Sequence, residues 1–385
     1  MLPPTLTDCF PLIKSGTFTN RPSLLEINKQ YSFRSQLSYI TIIIYFKRFV
    51  KAFGKLFTFD APALSTAVDF YQALYYNNKK AREKVMIIAD MHCDSLMTVS
   101  PDRGLLNKYN HSNKDAHLQF FAHFIPKEHQ TADIRLKRLM NAFNVYLSEC
   151  ERLGIKRICD CHDLTGIDSG VYSLLSVEGG GGLFATSPEL DVLYRGGLRV
   201  MGMVWDGNEL GSGAWDSEDR GLTKDGIALA ERCSEMGIIL DVSHLSDKSF
   251  DQLFSHISYP IIATHSNFRA VTPSPRNLTD DMARRIANRG GVIGLNLYPE
   301  FLSDKEASTD DILRHAEYGL NLVGEDVLAF GFDLDGTSGK YPTGLDESSS
   351  IHDRVVELLL TKYRESTVEK IAGKNVLRFL SENLY

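Results

Sequence analysis

Five runs of β-branched and apolar residues each end on side chains that can hold a metal. Ile87-Ile88-Ala89-Asp90-Met91-His92-Cys93-Asp94 ends on His92 and Asp94, Ile238-Ile239-Leu240-Asp241-Val242-Ser243-His244 on His244, and Pro260-Ile261-Ile262-Ala263-Thr264-His265 on His265. Glu178 follows the run from Val171 to Val177, and Asp333 follows the run from Val327 to Phe332. Taken singly, such residues carry little: His-x-Asp is common by chance, and a strand-end histidine is often structural. Together they offer three imidazoles and three carboxylates at five strand ends. That set suits a two-metal hydrolase, because both groups ligate zinc and one bridging carboxylate can keep two ions close enough to share a water. A water between two cations loses its proton near neutral pH and becomes a nucleophile.

Runs of this length read as buried strands of a parallel sheet, and a barrel enzyme gathers its site at the C-terminal ends of such strands. The gap of 21 residues between His244 and His265 is about one strand-helix unit. Further strands are expected at Leu118 to Phe124, Leu198 to Val204 and Val292 to Asn296, which brings the tally to eight. Helical patterns lie between them, at Arg135 to Leu153, Lys224 to Met236 and Thr279 to Arg289, the second closed by Gly237. The expected fold class is therefore α/β, a (β/α)8 TIM-like barrel with a binuclear metal site at the C-terminal ends of its strands. Period-two alternation points Cys93 away from His92 and Asp94. The Gly179 to Gly182 run reads as close packing beside Glu178, since no Gly-Lys-Ser/Thr follows to make a phosphate loop.

The chain resembles the membrane dipeptidases, renal dipeptidase and its bacterial relatives, of the amidohydrolase superfamily. The resemblance is carried by Asp90-Met91-His92-Cys93-Asp94, Val177-Glu178-Gly179-Gly180, Gly197-Leu198-Arg199, Asp241-Val242-Ser243-His244, Thr264-His265-Ser266, Pro275-Arg276-Asn277-Leu278-Thr279-Asp280 and Asp333-Leu334-Asp335-Gly336, in the family's order from about Met86 to the C-terminus. It implies two zinc ions per chain, one held by His92 and Asp94 and the other by His244 and His265, with Glu178 bridging. Asp333 would take the proton from the nucleophilic water and return it to the leaving amine. Asp335 lies on the same side of that strand but one step beyond, so Asp333 is preferred.

The resemblance also matches Arg276 to the arginine that receives a substrate's free C-terminal carboxylate, for which a guanidinium offers a bidentate fork. The alternative is a solvated surface arginine beside a helix start capped by Asn277 or Thr279. One residue departs from the family. Trp205, in Met203-Val204-Trp205-Asp206-Gly207, stands where many relatives have a histidine that contacts the substrate. Its indole donates one hydrogen bond but neither ionises nor accepts, so it is either a replacement donor or an aromatic pocket wall.

The chain has 385 residues, 43% of them hydrophobic and 24% charged, enough for one large barrel core. A formal charge of -7 argues against nucleic acid as a main partner. Residues 1–85 differ from the rest, with 12 Lys/Arg against 5 Asp/Glu, whereas the remainder has 30 against 44. They are expected to be an atypical basic extension, dispensable for catalysis and explained by a start codon assigned too far upstream or, as the alternative, by a basic arm that docks on the acidic barrel or a membrane surface, while 86–385 forms the metal-dependent barrel. The apolar run Tyr39 to Phe46 is far short of the roughly 20 residues of a membrane helix, and no cleavage site or lipid-anchor tail accompanies it. Six sparse cysteines fit free thiols in a reducing compartment, so the expected location is cytoplasmic without stable membrane insertion. Cys159-Asp160-Cys161-His162 lacks a second ligand cluster and reads as a strand entering a turn.

These observations converge on a zinc-dependent dipeptidase of broad side-chain tolerance, cleaving the peptide bond with a metal-bridging hydroxide. Its partners would be small dipeptides, and the family implies a homodimer. Two alternatives stay open: another small-molecule amidohydrolase acting on an amide, ester or lactone, which would keep the metal ligands but not need Arg276, and a metal-binding protein without peptidase activity.

Overall fold

A computed structural model describes residues 86–98, 116–124, 131–346 and 350–385. The expectation for residues 1–85 lies outside the described residues. Strands β1 (Ile88–Cys93), β2 (Ala116–Phe124), β4 (Gly170–Glu178), β5 (Leu198–Gly202), β6 (Ile239–Asp241), β7 (Ile261–Ile262), β8 (Ile293–Leu295) and β9 (Leu328–Phe330) form one parallel sheet, with the two-residue β3 (Lys156–Arg157) attached to β4. The ladder runs β7-β6-β5-β4-β2-β1-β9-β8. A parallel bridge between Ala263 and Ile293 joins its two ends and closes the barrel. All eight expected barrel strands are present.

Helices fill the crossovers: α1 (Ala132–Leu153), α2 (Pro188–Arg195), α3 (Lys224–Glu235), α4 (Asp247–His256), α5 (Asp280–Asn288), α6 (Pro299–Leu302), α7 (Thr309–Val323) and α8 (Ile351–Leu360), then α9 (Glu365–Glu369) and α10 (Asn375–Asn383). Thr223, Ser246 and Thr279 begin α3, α4 and α5 by accepting hydrogen bonds from backbone amides in the first turn. Gly237, with φ 77°, takes the left-handed conformation that ends the α3 segment.

Alternation along the strands sorts the apolar side chains into two cores. Ala89, Met91, Leu118, Phe120, Leu174, Val200, Ile239, Ile262 and Ala329 meet in one cluster, which only the lumen of a closed barrel can collect from so many strands. Val376, Phe379 and Leu380 of α10 join that cluster and plug the barrel. Ile88, Cys93, Phe121, Leu175, Val177, Leu198 and Leu240 face the helices instead. Gly294 and Gly331 allow the last strands to close up, because a Cβ at either would lie 2.0 Å or less from the Thr264 carbonyl oxygen.

None of the five cysteines among the described residues is in a disulfide. Lys156–Arg157 is a strand and Cys161–Leu164 a single 3-10 turn, as expected for a strand entering a turn. Asp160 and Asp163 cap that turn reciprocally. No helix of the described residues is long and apolar enough to cross a membrane.

Candidate metal centre

Every strand-end candidate ligand arrives at one end of the barrel, with the help of two devices that alternation does not show. Between Asp90 and Cys93 the β1/β2 register slips, so that three steps on β1 oppose two on β2. This bulge lets Ile88 and Cys93, an odd number of residues apart, both face the helices. Cys93 thus points away from its neighbours, as expected. Secondly, His244 (φ 73°) and Asp333 (φ 63°) occupy the left-handed region, at about 1–2 kcal/mol each for a residue with a Cβ.

The six groups lie in contact range. His92 Nε2 is 3.6 Å from Asp94 Oδ1, 3.7 Å from Glu178 Oε2 and 3.8 Å from Asp333 Oδ1. On the other side of the same carboxylate, Glu178 Oε1 is 2.6 Å from His244 Nε2 and 3.3 Å from His265 Nε2. The two imidazole nitrogens are themselves 3.0 Å apart. The ligand atoms fall into overlapping groups, His92/Asp94/Glu178 and Glu178/His244/His265, with a third made by His92, His265 and Asp333.

His92 Nε2, Asp94 Oδ1 and both oxygens of Glu178 are buried without a hydrogen-bond partner. Buried polar atoms seldom go unpaired, and these converge on shared centres with a donor set of imidazole and carboxylate, so the residues fit metal ions. The electrostatics agree. Burial pushes Glu178 up to about 7 and Asp94 and Asp333 to about 6. Burial alone would lower His92, but Glu178, Asp94 and Asp333 around it raise it to about 10, so this corner of the cluster attracts positive charge, and a metal ion there would take the place of the proton. Burial, with Arg276 nearby, holds His244 and His265 well below the usual histidine range and hence neutral, as ligands require.

Several supporting groups carry no metal-ligand signal in the sequence. Asp241 ends β6; its Oδ1 accepts from the Ser243 and Thr264 amides at 3.0 and 2.9 Å, and its Oδ2 from the Thr264 hydroxyl. That hydroxyl lies 2.8 Å from His265 Nδ1. With its proton given to Asp241, Thr264 can only accept from Nδ1–H, which leaves the Nε2 lone pair facing the centre. Thr264→Val is expected to weaken metal binding by about 10–100-fold in a chelator competition while the fold persists; unchanged affinity would remove the relay from the account. Asn296 donates to Asp333 Oδ2 at 3.1 Å and leaves Oδ1 turned to His92. Gly336 makes room for both carboxylates, since a Cβ there would sit 2.2 Å from Asp333 Oδ1 and 2.5 Å from Asp94 Oδ2. Asp90 bonds His352 at 2.8 Å and accepts from the amides of His92 and Phe332. It thereby ties together two ligand-bearing strand ends. Asp335 accepts from Ser95 at 2.6 Å.

Arg276 is not a solvated surface residue. It is 4% exposed, its Nη2 points to the His265 carbonyl at 3.5 Å, its guanidinium lies 5.3 Å from the Phe301 ring, and its Nε has no partner. Of the two cap candidates, Thr279 rather than Asn277 begins the helix. Trp205 is half-buried, stacked on Phe124 with its ring 6.1 Å from that of His244. The glycine run packs closely, as expected: the amides of Gly179 and Gly180 both donate to the Gly202 carbonyl, and a Cβ on Gly182 would lie 2.7 Å from the Ala132 carbonyl oxygen.

Residues 80–384 match the family model described as membrane dipeptidase (peptidase family M19). The chain belongs to this family. Among known structures, this M19 chain is similar to dipeptidase AC, a metallopeptidase, at 26% identity and a TM-score of 0.67, over 78% of this chain and 99% of the other. It is also similar to a metallopeptidase from Rhodobacter sphaeroides solved with a phosphinate mimic of the dipeptide L-Ala-D-Ala, at 25% identity and a TM-score of 0.64, over 78% and 100%. By sequence it is 34% identical over 225 residues to a Klebsiella pneumoniae protein described as uncharacterized in the pqqA 5' region, over 55% of this chain and 82% of that one. It is 30% identical over 218 residues to dipeptidase aclJ of Aspergillus oryzae, spanning 55% of this chain and about half (51%) of the fungal protein. Membership makes the chain a metallo-dipeptidase, a hydrolase whose barrel presents a cluster fit for metal ions.

Proposed function

We propose that this M19 member hydrolyses dipeptides with two zinc ions. The observation that carries the reading is Glu178, whose two oxygens, both without a hydrogen-bond partner, face one histidine on one side and two on the other. His92 and Asp94 would hold one ion, His244 and His265 the other, and Glu178 both. When bound, the ions supply Lewis-acid stabilisation of a developing oxyanion and make water acidic near neutral pH. Asp333 then accepts a proton at Oδ1, the oxygen that Asn296 leaves free, and returns it to the departing amine. Arg276 receives the substrate carboxylate; a buried guanidinium with an unpaired Nε is prepared for an anion. Free thiols favour the cytoplasm as the working compartment.

A panel of L,L and L,D dipeptides, each beside its C-terminally amidated form, tests this. The L,D series is included because the Rhodobacter sphaeroides relative holds an L-Ala-D-Ala mimic. Free dipeptides should be preferred, and Arg276→Ala should raise KM for them by about tenfold or more, the scale of a lost charge-assisted bond. Equal cleavage of amidated and free forms would favour an amidohydrolase of another small amide.

A further inference from the structure

Both tryptophans of the chain, Trp205 and Trp215, sit on the loop between β5 and α3. That loop is built rather than slack. The Asp216 carboxylate accepts from the amides of Gly207 and Gly213, both at 3.2 Å, and the Ala214 amide donates to the carbonyl of His244 at 2.8 Å. Phe124 and Glu178 are registered partners at the ends of β2 and β4, and registered residues of a parallel pair face the same side. Phe124 is thereby placed beside the bridging carboxylate. Trp205 lies on Phe124 with ring centroids 5.0 Å apart and planes 25° from parallel, and extends toward the ring of His244. Near Arg276, Phe301 carries Trp215 at 6.5 Å, and Trp215 is 57% exposed.

A dipeptide is polar at its amine, its amide and its carboxylate, and the centre already meets those groups with carboxylates, imidazoles and Arg276. The flat apolar faces of Trp205 and Phe124 have nothing to offer them. What such a wall can take is a side chain, and it fits an aromatic one best, by offset stacking and by area removed from water. We propose that Trp205, stacked on Phe124, is a specificity-determining wall that selects dipeptides bearing a bulky apolar, above all aromatic, side chain. This rests on the dipeptidase reading and narrows the broad side-chain tolerance expected from the sequence.

The test uses the metal-loaded full chain with Ala-Ala, Phe-Ala and Ala-Phe. The unaltered enzyme should favour at least one phenylalanine dipeptide over Ala-Ala by about tenfold or more in kcat/KM, the scale set by apolar pockets. Trp205→Ala should bring that ratio to within about twofold, chiefly through KM, with metal content unchanged. Trp205→Phe, which keeps a flat ring, should restore most of the preference. Trp205→Leu, which fills space without a ring face, should not, and it decides the matter if the alanine variant does not fold. No preference in the unaltered enzyme, or a proportional loss on all three substrates, overturns the wall. Failure to cleave any of the three, in either the L,L or the L,D form, sinks the dipeptidase reading itself, and the wall falls with it.

Discussion

Glu178→Gln is expected to lose metal and activity together. The amide keeps the shape of the side chain but removes the one charge shared by both halves of the cluster, and turns an N–H donor toward nitrogen atoms that must themselves give lone pairs. The loss of affinity should exceed the roughly 10–100-fold that a missing supporting hydrogen bond costs. If several kcal/mol of transition-state stabilisation go with the metals, dipeptide hydrolysis falls by about a thousandfold or more. Elemental analysis and turnover on the same preparation check this. A fully active preparation holding no more than one tightly bound metal would sink the binuclear arrangement.

Asp333→Asn is expected to separate what Glu178→Gln joins. Its carboxylate is held by Asn296 and lies 3.8 Å from His92 Nε2, at the edge of the cluster rather than between its halves. Asparagine keeps the volume and cannot accept the proton, so both metals should stay while kcat falls by roughly a hundredfold or more. Because Asp333 also groups with His92 and His265 as a possible ligand set, the opposite outcome is informative. Metal lost in step with rate would make Asp333 a ligand and leave the proton-transfer group to be found elsewhere.

The two variants bear on residues whose legibility in the sequence differs from that of their supports. His92, Asp94, Glu178, His244, His265 and Asp333 are chemically conspicuous, and each ends an apolar run, so type and position together single them out. Arg276 needed the family resemblance, since a lone arginine beside a helix start looks solvated; its burial depends on the fold. Asn296 and His352 give no sign at all, because an amide and a helix-borne imidazole have ordinary uses everywhere. Their roles come from partners far away in the chain, as with His352 and Asp90, 262 residues apart.

The sequence by itself determined the eight strands, the class of fold and which side chains are candidate ligands, because apolar runs of strand length and the donor chemistry of side chains are local properties. Tertiary structure alone decided the rest. The bulge in β1, the left-handed turns at His244 and Asp333, and the glycines that admit the Thr264 carbonyl and the crowded carboxylates are responses to barrel closure, which brings strand ends from residues 92 to 333 to one point. Local propensity disfavours a left-handed histidine or aspartate. Only a closed parallel barrel, whose packing over-determines the backbone, can hold them there and aim both oxygens of one glutamate at two sets of imidazoles.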